Sequence, residues 1–136
     1  MPLNPMFKTL IEFAGRKDWA WAAAVVQVES NWNPYAMGDS GLALGLFQMH
    51  PNFMADQFRE YSDRGEMLIL LSHDPFAQAE AFRRFWQRNS HLQVEDRLRV
   101  YHYGPTGAEK LKDQADPDPD KYVARVKAAY LKFQEN

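Results

Sequence analysis

One carboxylic acid, Glu29, stands between a long apolar segment and a glycine-rich turn within residues 18–48. From Trp19 to Val28 the only side chain that is not apolar is Gln27. A helix of this composition has no solvent-facing side of ordinary width, so it should be buried on most sides. The sequence that follows Glu29 is rich in Asn, Asp, Ser and Gly, which predicts a loop or a short hairpin. Glu29 is therefore expected where a buried helix meets an irregular segment.

A carboxyl group in this position is suited to act as a general acid near neutral pH. Burial disfavours the charged carboxylate, and the partial negative charge at a helix C-terminus disfavours it again. Both effects predict a raised pKa, so that Glu29 still holds its proton when a substrate binds. A surface Glu at a frayed helix end is the alternative interpretation, and the apolar helix before Glu29 argues against it.

Other side chains with chemical potential are less clearly placed. Asp39, Asp56 and Asp63 are candidates for a second carboxylate, although each also suits a turn or a surface. The histidines show no spacing that suggests a zinc site, and the chain contains no cysteine. We therefore expect neither a metal nor another cofactor. Trp32 is a candidate for stacking on a sugar ring, whereas the two earlier tryptophans are expected in the core.

Hydrophobic periodicity predicts a mainly helical domain around this segment. A first helix from about Pro5 to Ala14 precedes the helix that bears Glu29, for which Asp18 is the expected N-cap. Gln78 belongs to the polar residues around the apolar face of a later amphipathic helix. Further helices are predicted over about residues 51–61, from Asp74-Pro75 onward, over about residues 94–103 up to Gly104-Pro105, and from Pro119 onward, with residues 67–71 an apolar run of either type.

The composition is that of one globular domain. The chain has 136 residues, of which 46% are hydrophobic and 14% aromatic, so it can form a core without disulfides. We predict a single domain over residues 1–136 and a monomer. The formal net charge of -2 gives no electrostatic basis for a nucleic-acid partner. The apolar run that ends at Val28 is too short to span a bilayer. The N-terminus does not resemble a signal peptide, so we expect synthesis in the cytoplasm without stable membrane insertion.

The stretch from Glu29 to Gln48 resembles the first two motifs of the lytic transglycosylases of glycoside hydrolase family 23. The matching residues are Glu29-Ser30, Asn33-Pro34, Ala36, Ser40, Ala43 and Gly45-Leu46-Phe47-Gln48. Val100-Tyr101-His102-Tyr103-Gly104-Pro105 resembles the third motif, although His102 stands where the family has Asn, and Tyr122-Val123 resembles the fourth. The family shares its fold with goose-type lysozymes. The resemblance therefore implies a mainly α, lysozyme-like α+β domain with a short irregular or β region after the Glu29 helix.

The resemblance also implies an activity, namely cleavage of the β-1,4 bond between N-acetylmuramic acid and N-acetylglucosamine in peptidoglycan glycan strands. Glu29 would protonate the bridging oxygen and then, once ionised, remove the proton from the muramic C6 hydroxyl, which gives a 1,6-anhydro sugar without water. A protonated His102 near Glu29 would lower the pKa of Glu29. By position, the residues implied to bind the substrate are Ser30, Ser40, Gly45, Gln48, Tyr101, His102 and Tyr122.

Two other classes of function remain open from the sequence. A second carboxylate, with Asp39 as the first candidate, would make the protein a hydrolytic muramidase of the goose-lysozyme kind. Idle catalytic groups would leave a glycan-binding module, or a structural component of a virion or secretion apparatus. Because the implied substrate lies outside the cytoplasmic membrane and no export signal is evident, we expect a phage endolysin or a virion-borne wall-degrading enzyme that acts in the periplasm after release or delivery.

Overall fold

A computed structural model describes residues 4–134 of the chain. Residues 1–3 and 135–136 lie outside the described residues. Both segments fall within the predicted single domain, and residues 1–3 also belong to the N-terminal region that was compared with signal peptides. The elements in chain order are α1 (Pro5–Gly15), α2 (Trp19–Ser30), β1 (Met37–Gly38), β2 (Ala43–Leu44), α3 (Pro51–Gln57), α4 (Gly65–Ser72), α5 (Pro75–Arg88), α6 (Val94–Leu111) and α7 (Tyr122–Gln134). The predicted fold class, mainly α with a small β region after the Glu29 helix, is confirmed.

Helix α2 lies at the centre of the molecule, packed between α7 and α1. Its residues from Ala22 to Val26 are completely buried, and the small alanines allow the neighbouring helices to approach closely. Trp21 adds a face-to-face stack on Tyr130 of α7, with ring centroids 3.6 Å apart and an interplanar angle of 4°. Burial of apolar surface on both sides stabilises α2, and this packing fixes the position of its last turn, which carries Glu29.

The chain leaves α2 through residues with left-handed backbone and enters a small hairpin. Asn31 has φ 49° and Trp32 has φ 66°, which turns the chain sharply away from the helix axis. The indole of Trp32 then packs between Phe7 and Phe133, at centroid distances of 5.7 and 6.0 Å. Trp32 is therefore part of the aromatic packing at this end of α2, and its stacking on a sugar ring stays a prediction.

The hairpin that follows has a two-residue register. Strands β1 and β2 are antiparallel, with Met37 opposite Leu44 and Gly38 opposite Ala43, and Leu44 also forms a bridge with Met49. A 3₁₀ turn over Asp39–Gly41 connects the strands. The hairpin and the turn after it thus fold back beside the C-terminal end of α2.

Several predicted helix ends differ from the observed ones. The helix expected over residues 51–61 ends at Gln57 and continues as a 3₁₀ turn, and residues 67–71 belong to α4. Gly104, with φ 76° and ψ 164°, interrupts α6, but the helix resumes and continues to Leu111. The last helix begins at Tyr122 rather than at Pro119, because Lys121 has φ 58°, which is incompatible with a right-handed helix.

The two expected aspartate caps behave differently. Asp74 caps α5 as predicted, since its Oδ1 accepts a hydrogen bond of 2.9 Å from the backbone N–H of Phe76. Asp18 precedes α2 but makes no capping bond with its side chain. Its carboxylate instead accepts from the indole Nε1 of Trp86 at 3.0 Å, which ties the start of α2 to α5. None of the helices within residues 4–134 combines the length and the apolar character that a membrane crossing requires.

Candidate active site

A cavity of about 180 Å³ lies at the C-terminal end of α2, between the hairpin, the start of α3 and helix α6. It is open to solvent on one side and bounded by both polar and apolar side chains. The lining residues are Glu29, Gly38, Asp39, Ala43, Gln48, Met49, His50, Phe53, Tyr101 and His102. Four of the residues predicted to form the site, namely Glu29, Gln48, Tyr101 and His102, therefore meet in one place.

Glu29 reaches this cavity from the buried side. Burial raises the pKa of its carboxyl from the ordinary 4.5 to about 7. The hydroxyl of Tyr122 and the positive charge of Arg125 lower this pKa, and the negative charge of Asp39 raises it, but each has a smaller effect than burial. Glu29 therefore keeps its proton up to neutral pH, which is the state that a general acid needs.

Two tyrosines bring hydroxyl groups close to Glu29. Tyr101 Oη donates a hydrogen bond of 2.7 Å to the backbone carbonyl of Phe47. Tyr122 is 1% exposed, and its Oη makes no hydrogen bond of ordinary length and angle within the described residues. The hydroxyl nevertheless lies close enough to the Glu29 carboxyl to lower the pKa of that carboxyl. Burial and the charge of Glu29 raise the pKa of both tyrosines well above 10, so both hydroxyls stay protonated.

Gln48 joins the hairpin to the cavity wall. Its Nε2 donates to the carbonyl oxygens of Ala36 and Gly45, at 3.0 and 2.9 Å. Because both partners are acceptors, the nitrogen must face them and the oxygen must face away. That oxygen passes so close to Gly38 that a Cβ there would lie 2.6 Å from it. Gln48 therefore offers an acceptor, and not a donor, for further contacts.

The turn around Gly45 is held by a residue that the sequence did not indicate as part of the site, Gln78 of α5. The Gln78 side chain is 1% exposed and accepts from Phe47 N at 3.0 Å, while its Nε2 donates to Leu44 O at 2.7 Å and to Ser72 O at 2.8 Å. Gly45 has φ 74°, and a Cβ on it would lie 2.6 Å from Gln78 Nε2. Gln78 was missed because a polar residue beside an apolar helix face normally points to solvent.

Two predicted substrate residues, Ser30 and Ser40, do not line the cavity. Ser30 Oγ donates to the carbonyl of Val26 one turn earlier, at 3.1 Å. Ser40 is exposed in the 3₁₀ turn with φ 59°. Gly45, as described above, contacts Gln78 and also lies outside the lining. The structure thus places these three residues in the scaffold of the turn rather than at the cavity surface.

His102 packs against Tyr122 and Asp120. Its ring stacks face to face on the Tyr122 ring, with centroids 4.1 Å apart and planes 5° from parallel. Its Nε2 lies 3.0 Å from Asp120 Oδ2. The positive charge that lowers the pKa of Glu29 comes from Arg125 of α7, a residue that the sequence did not indicate as part of the site.

Of the candidate second carboxylates, Asp39 alone lines the cavity. Its Oδ2 lies 2.8 Å from His50 Nε2, and both side chains are substantially exposed. Asp56 and Asp63 are exposed elsewhere on the described surface. Within residues 4–134, the His, Asp and Glu side chains form no cluster of three or more that could hold a metal ion.

The fold and the cleft define a lysozyme-like domain, in which a buried helix brings a glutamate to an open groove beside a small hairpin. A family model described as a transglycosylase SLT domain matches residues 12–81, which is just over half of the chain. The chain belongs to this family and is a lytic transglycosylase that acts on peptidoglycan. Neither the curated proteins nor the solved structures gave a match. The matched segment includes Glu29 and Gln48 but ends before Tyr101, so the third and fourth motifs stay predictions.

Proposed function

We propose that Glu29 is the single general acid and base of this transglycosylase. Its carboxyl proton passes to the oxygen that bridges N-acetylmuramic acid and N-acetylglucosamine, and the bond from that oxygen to the muramic C1 breaks. The Glu29 carboxylate then takes the proton of the muramic C6 hydroxyl, and O6 bonds to C1. The product is a 1,6-anhydromuramic end, no water is consumed, and Glu29 returns to its protonated form.

The observation that carries this proposal is the pKa of Glu29, raised by burial to about 7 in a side chain that faces an open cavity. One group must donate a proton and later accept one, and a pKa near the working pH serves both steps. Tyr101 and Tyr122 add two protonated hydroxyls near the same carboxyl. The Tyr101 oxygen, which lines the cavity and donates its proton to Phe47, can accept from an acetamido N–H or a sugar hydroxyl, and the buried Tyr122 hydroxyl orients the Glu29 carboxyl.

For the glycan itself we propose contacts from Gln48, Tyr101 and His102, which line the cavity, while the buried Tyr122 acts through the Glu29 carboxyl. The free Gln48 oxygen is suited to accept from a sugar hydroxyl or from an acetamido N–H. For Ser30, Ser40 and Gly45 we propose a supporting role instead, because their polar atoms or backbone serve the turn between α2 and α3.

Mass spectrometry of soluble products from purified peptidoglycan tests the proposal. The wild-type chain should release fragments that lack one water and resist borohydride reduction, and Glu29→Gln should release none. Glu66→Gln is the matched control, because Glu66 is exposed at the start of α4, and it should behave as the wild type. Intact glycan after incubation with folded wild-type protein would contradict the proposal and favour a glycan-binding or structural role.

Asp39 supports a second candidate reaction, hydrolysis of the same bond. It lines the cavity that Glu29 faces, and His50 holds its carboxylate at 2.8 Å. A carboxylate in this position could activate a water molecule as an inverting glycosidase does. Products of ordinary mass that borohydride reduces, and that disappear in Asp39→Asn, would establish hydrolysis. Anhydro products from Asp39→Asn at the wild-type rate would exclude it.

We also propose that the chain acts as a monomeric single domain that reaches the wall during phage lysis or from a virion. The support is the sequence-based expectation given above. Expression in the bacterial cytoplasm tests it: lysis should require an added membrane-permeabilising agent and should depend on Glu29. Lysis without permeabilisation would contradict delivery through a membrane opening.

A further inference from the structure

The part of α6 just before Gly104 and the acidic connector before α7, residues 116–120, are joined by a set of polar contacts that lies beside the cavity. Tyr103 Oη donates to Asp118 Oδ1 at 2.8 Å and accepts from the backbone N–H of Asp120 at 3.1 Å. Next to it, His102 Nε2 lies 3.0 Å from Asp120 Oδ2. Two consecutive residues of α6 therefore contact two aspartates of the connector.

The same connector starts α7. The carboxylate of Asp118 accepts from the backbone N–H groups of Val123 and Ala124, each at 3.1 Å. A carboxylate at this end of a helix satisfies unpaired N–H groups and interacts favourably with the helix dipole. Because Asp118 binds both Tyr103 and the first turn of α7, it fixes where that turn lies relative to α6.

Tyr122 is the first residue of this turn, and its hydroxyl lies near the Glu29 carboxyl, whose pKa it lowers. The Oη is buried without a hydrogen bond of ordinary geometry in the described part of the chain. The ring, by contrast, is held on one face by His102 at 4.1 Å. The direction of the Tyr122 hydroxyl therefore depends on the ring contact and on the start of α7, both of which the connector determines.

We propose that the connector acts as a latch, in which Asp118 and Asp120 hold Tyr103 and His102 so that the Tyr122 hydroxyl stays directed at Glu29. Asp118, Asp120 and Tyr103 are positioning residues that act through Tyr122, and His102, which also lines the cavity, adds its ring contact to the same effect. The catalytic consequence rests on the proposed function of Glu29. In this latch His102, which stands where the family has Asn, joins Tyr122 to Asp120, since an imidazole can stack on a phenol ring and reach Asp120 at the same time.

Tyr103→Phe is the most specific test, because it removes one hydroxyl and leaves the ring in place. We expect kcat to fall at least about threefold while KM changes by less than about twofold, since a small displacement of a catalytic group mainly affects the reaction step. Tyr61→Phe is the matched control, because Tyr61 lies outside the cavity lining and its ring packs on Phe58. This control should keep the wild-type kcat.

A second readout does not depend on turnover, namely the pKa of Glu29 measured by NMR of carboxyl-labelled protein. The groups that face Glu29 are Tyr122 and Arg125 of α7, Tyr101 of α6 and Asp39 of the hairpin. Tyr122 now lowers the Glu29 pKa, so its displacement in Tyr103→Phe should raise that pKa by at least about 0.5. A merely structural role of Tyr103 would lower the melting temperature and leave this pKa unchanged.

Two substitutions of His102 test whether its flat ring, rather than its polar nitrogens, holds Tyr122 in place. His102→Phe keeps a flat ring on Tyr122, so it should retain a larger share of the wild-type kcat than His102→Ala, whose Glu29 pKa should rise. Equal behaviour of the two variants would overturn the role assigned to the stack. If His102→Ala fails to fold, Tyr103→Phe decides the latch alone.

The two proposals fail in different ways. Wild-type Glu29 pKa and kcat in both Tyr103→Phe and His102→Ala would overturn the latch, while the role of Glu29 would still be judged by Glu29→Gln. If the wild-type chain cleaves no glycan, the proposed function fails, and the NMR measurement still decides whether the latch directs Tyr122.

Discussion

At the scale of single residues, the pKa of Glu29 results from burial, which raises it, and from two groups of α7, which lower it. Its raised pKa follows from local sequence, because the ten residues before it are almost wholly apolar and predict a buried helix. The groups that lower the same pKa, Tyr122 and Arg125, come from a helix more than ninety residues later. The resemblance to family motifs indicated Tyr122, whereas no local pattern distinguishes Arg125 from the other cations of that helix.

Burial of Glu29 has a stability cost that depends on pH. Its pKa is about 7 in the folded chain against an ordinary 4.5, so between these values the folded state holds a proton that the unfolded state has lost. Stability must fall as the pH rises through this window. Glu29→Gln removes the titration, so its stability gain over the wild type should be small at pH 4 and reach up to about 3 kcal/mol at pH 8.

Urea unfolding of both chains at the two pH values measures this difference. Glu66→Gln, at an exposed position, should show no comparable pH-dependent gain. A constant difference between wild type and Glu29→Gln across the range would mean that Glu29 does not titrate near neutral pH.

At the scale of elements, the sequence predicted the presence of the helices more reliably than it predicted their first and last residues. Asp74-Pro75 marked the start of α5 correctly, because an Asp cap before a Pro acts locally. Lys121 carries no such signal, yet its positive φ delays α7 until Tyr122. The buried Gln78 is a similar case. Its side chain makes three hydrogen bonds to segments outside its own helix, and hydrophobic periodicity cannot predict such bonds.

Gly45→Ala should destabilise the fold by about 2 kcal/mol, because a side chain is strained at positive φ and would also displace the Gln78 amide. Gly65→Ala is the matched control, since a Cβ there meets nothing within 4 Å and the position opens α4. Denaturant midpoints of the two variants measure the contrast. Equal midpoints would mean that the turn after β2 does not depend on the contact between Gly45 and Gln78.

At the scale of the whole molecule, helices from both ends of the described chain pack against α2. Helix α1 packs on one side of it and α7 on another, so residues near both termini bury the same helix. The sequence indicated that α2 must be buried, but a hydrophobic pattern cannot tell which helices cover it. The packing also explains why residues beyond the matched segment 12–81 matter for the site, because they supply α6, α7 and the connector between them.

This arrangement predicts a single cooperative unfolding transition, since neither α1 nor α7 can separate without exposing the apolar surface of α2. The four tryptophans suit the measurement because two lie in α2, one follows it and one lies in α5. Urea curves from tryptophan fluorescence and from far-UV circular dichroism should therefore share one midpoint. A midpoint independent of protein concentration would agree with a monomer. Two separated transitions would instead mean that the chain unfolds in parts. Helix α1 or α7 could then separate from α2, which bears Glu29, while the rest of the domain stays folded.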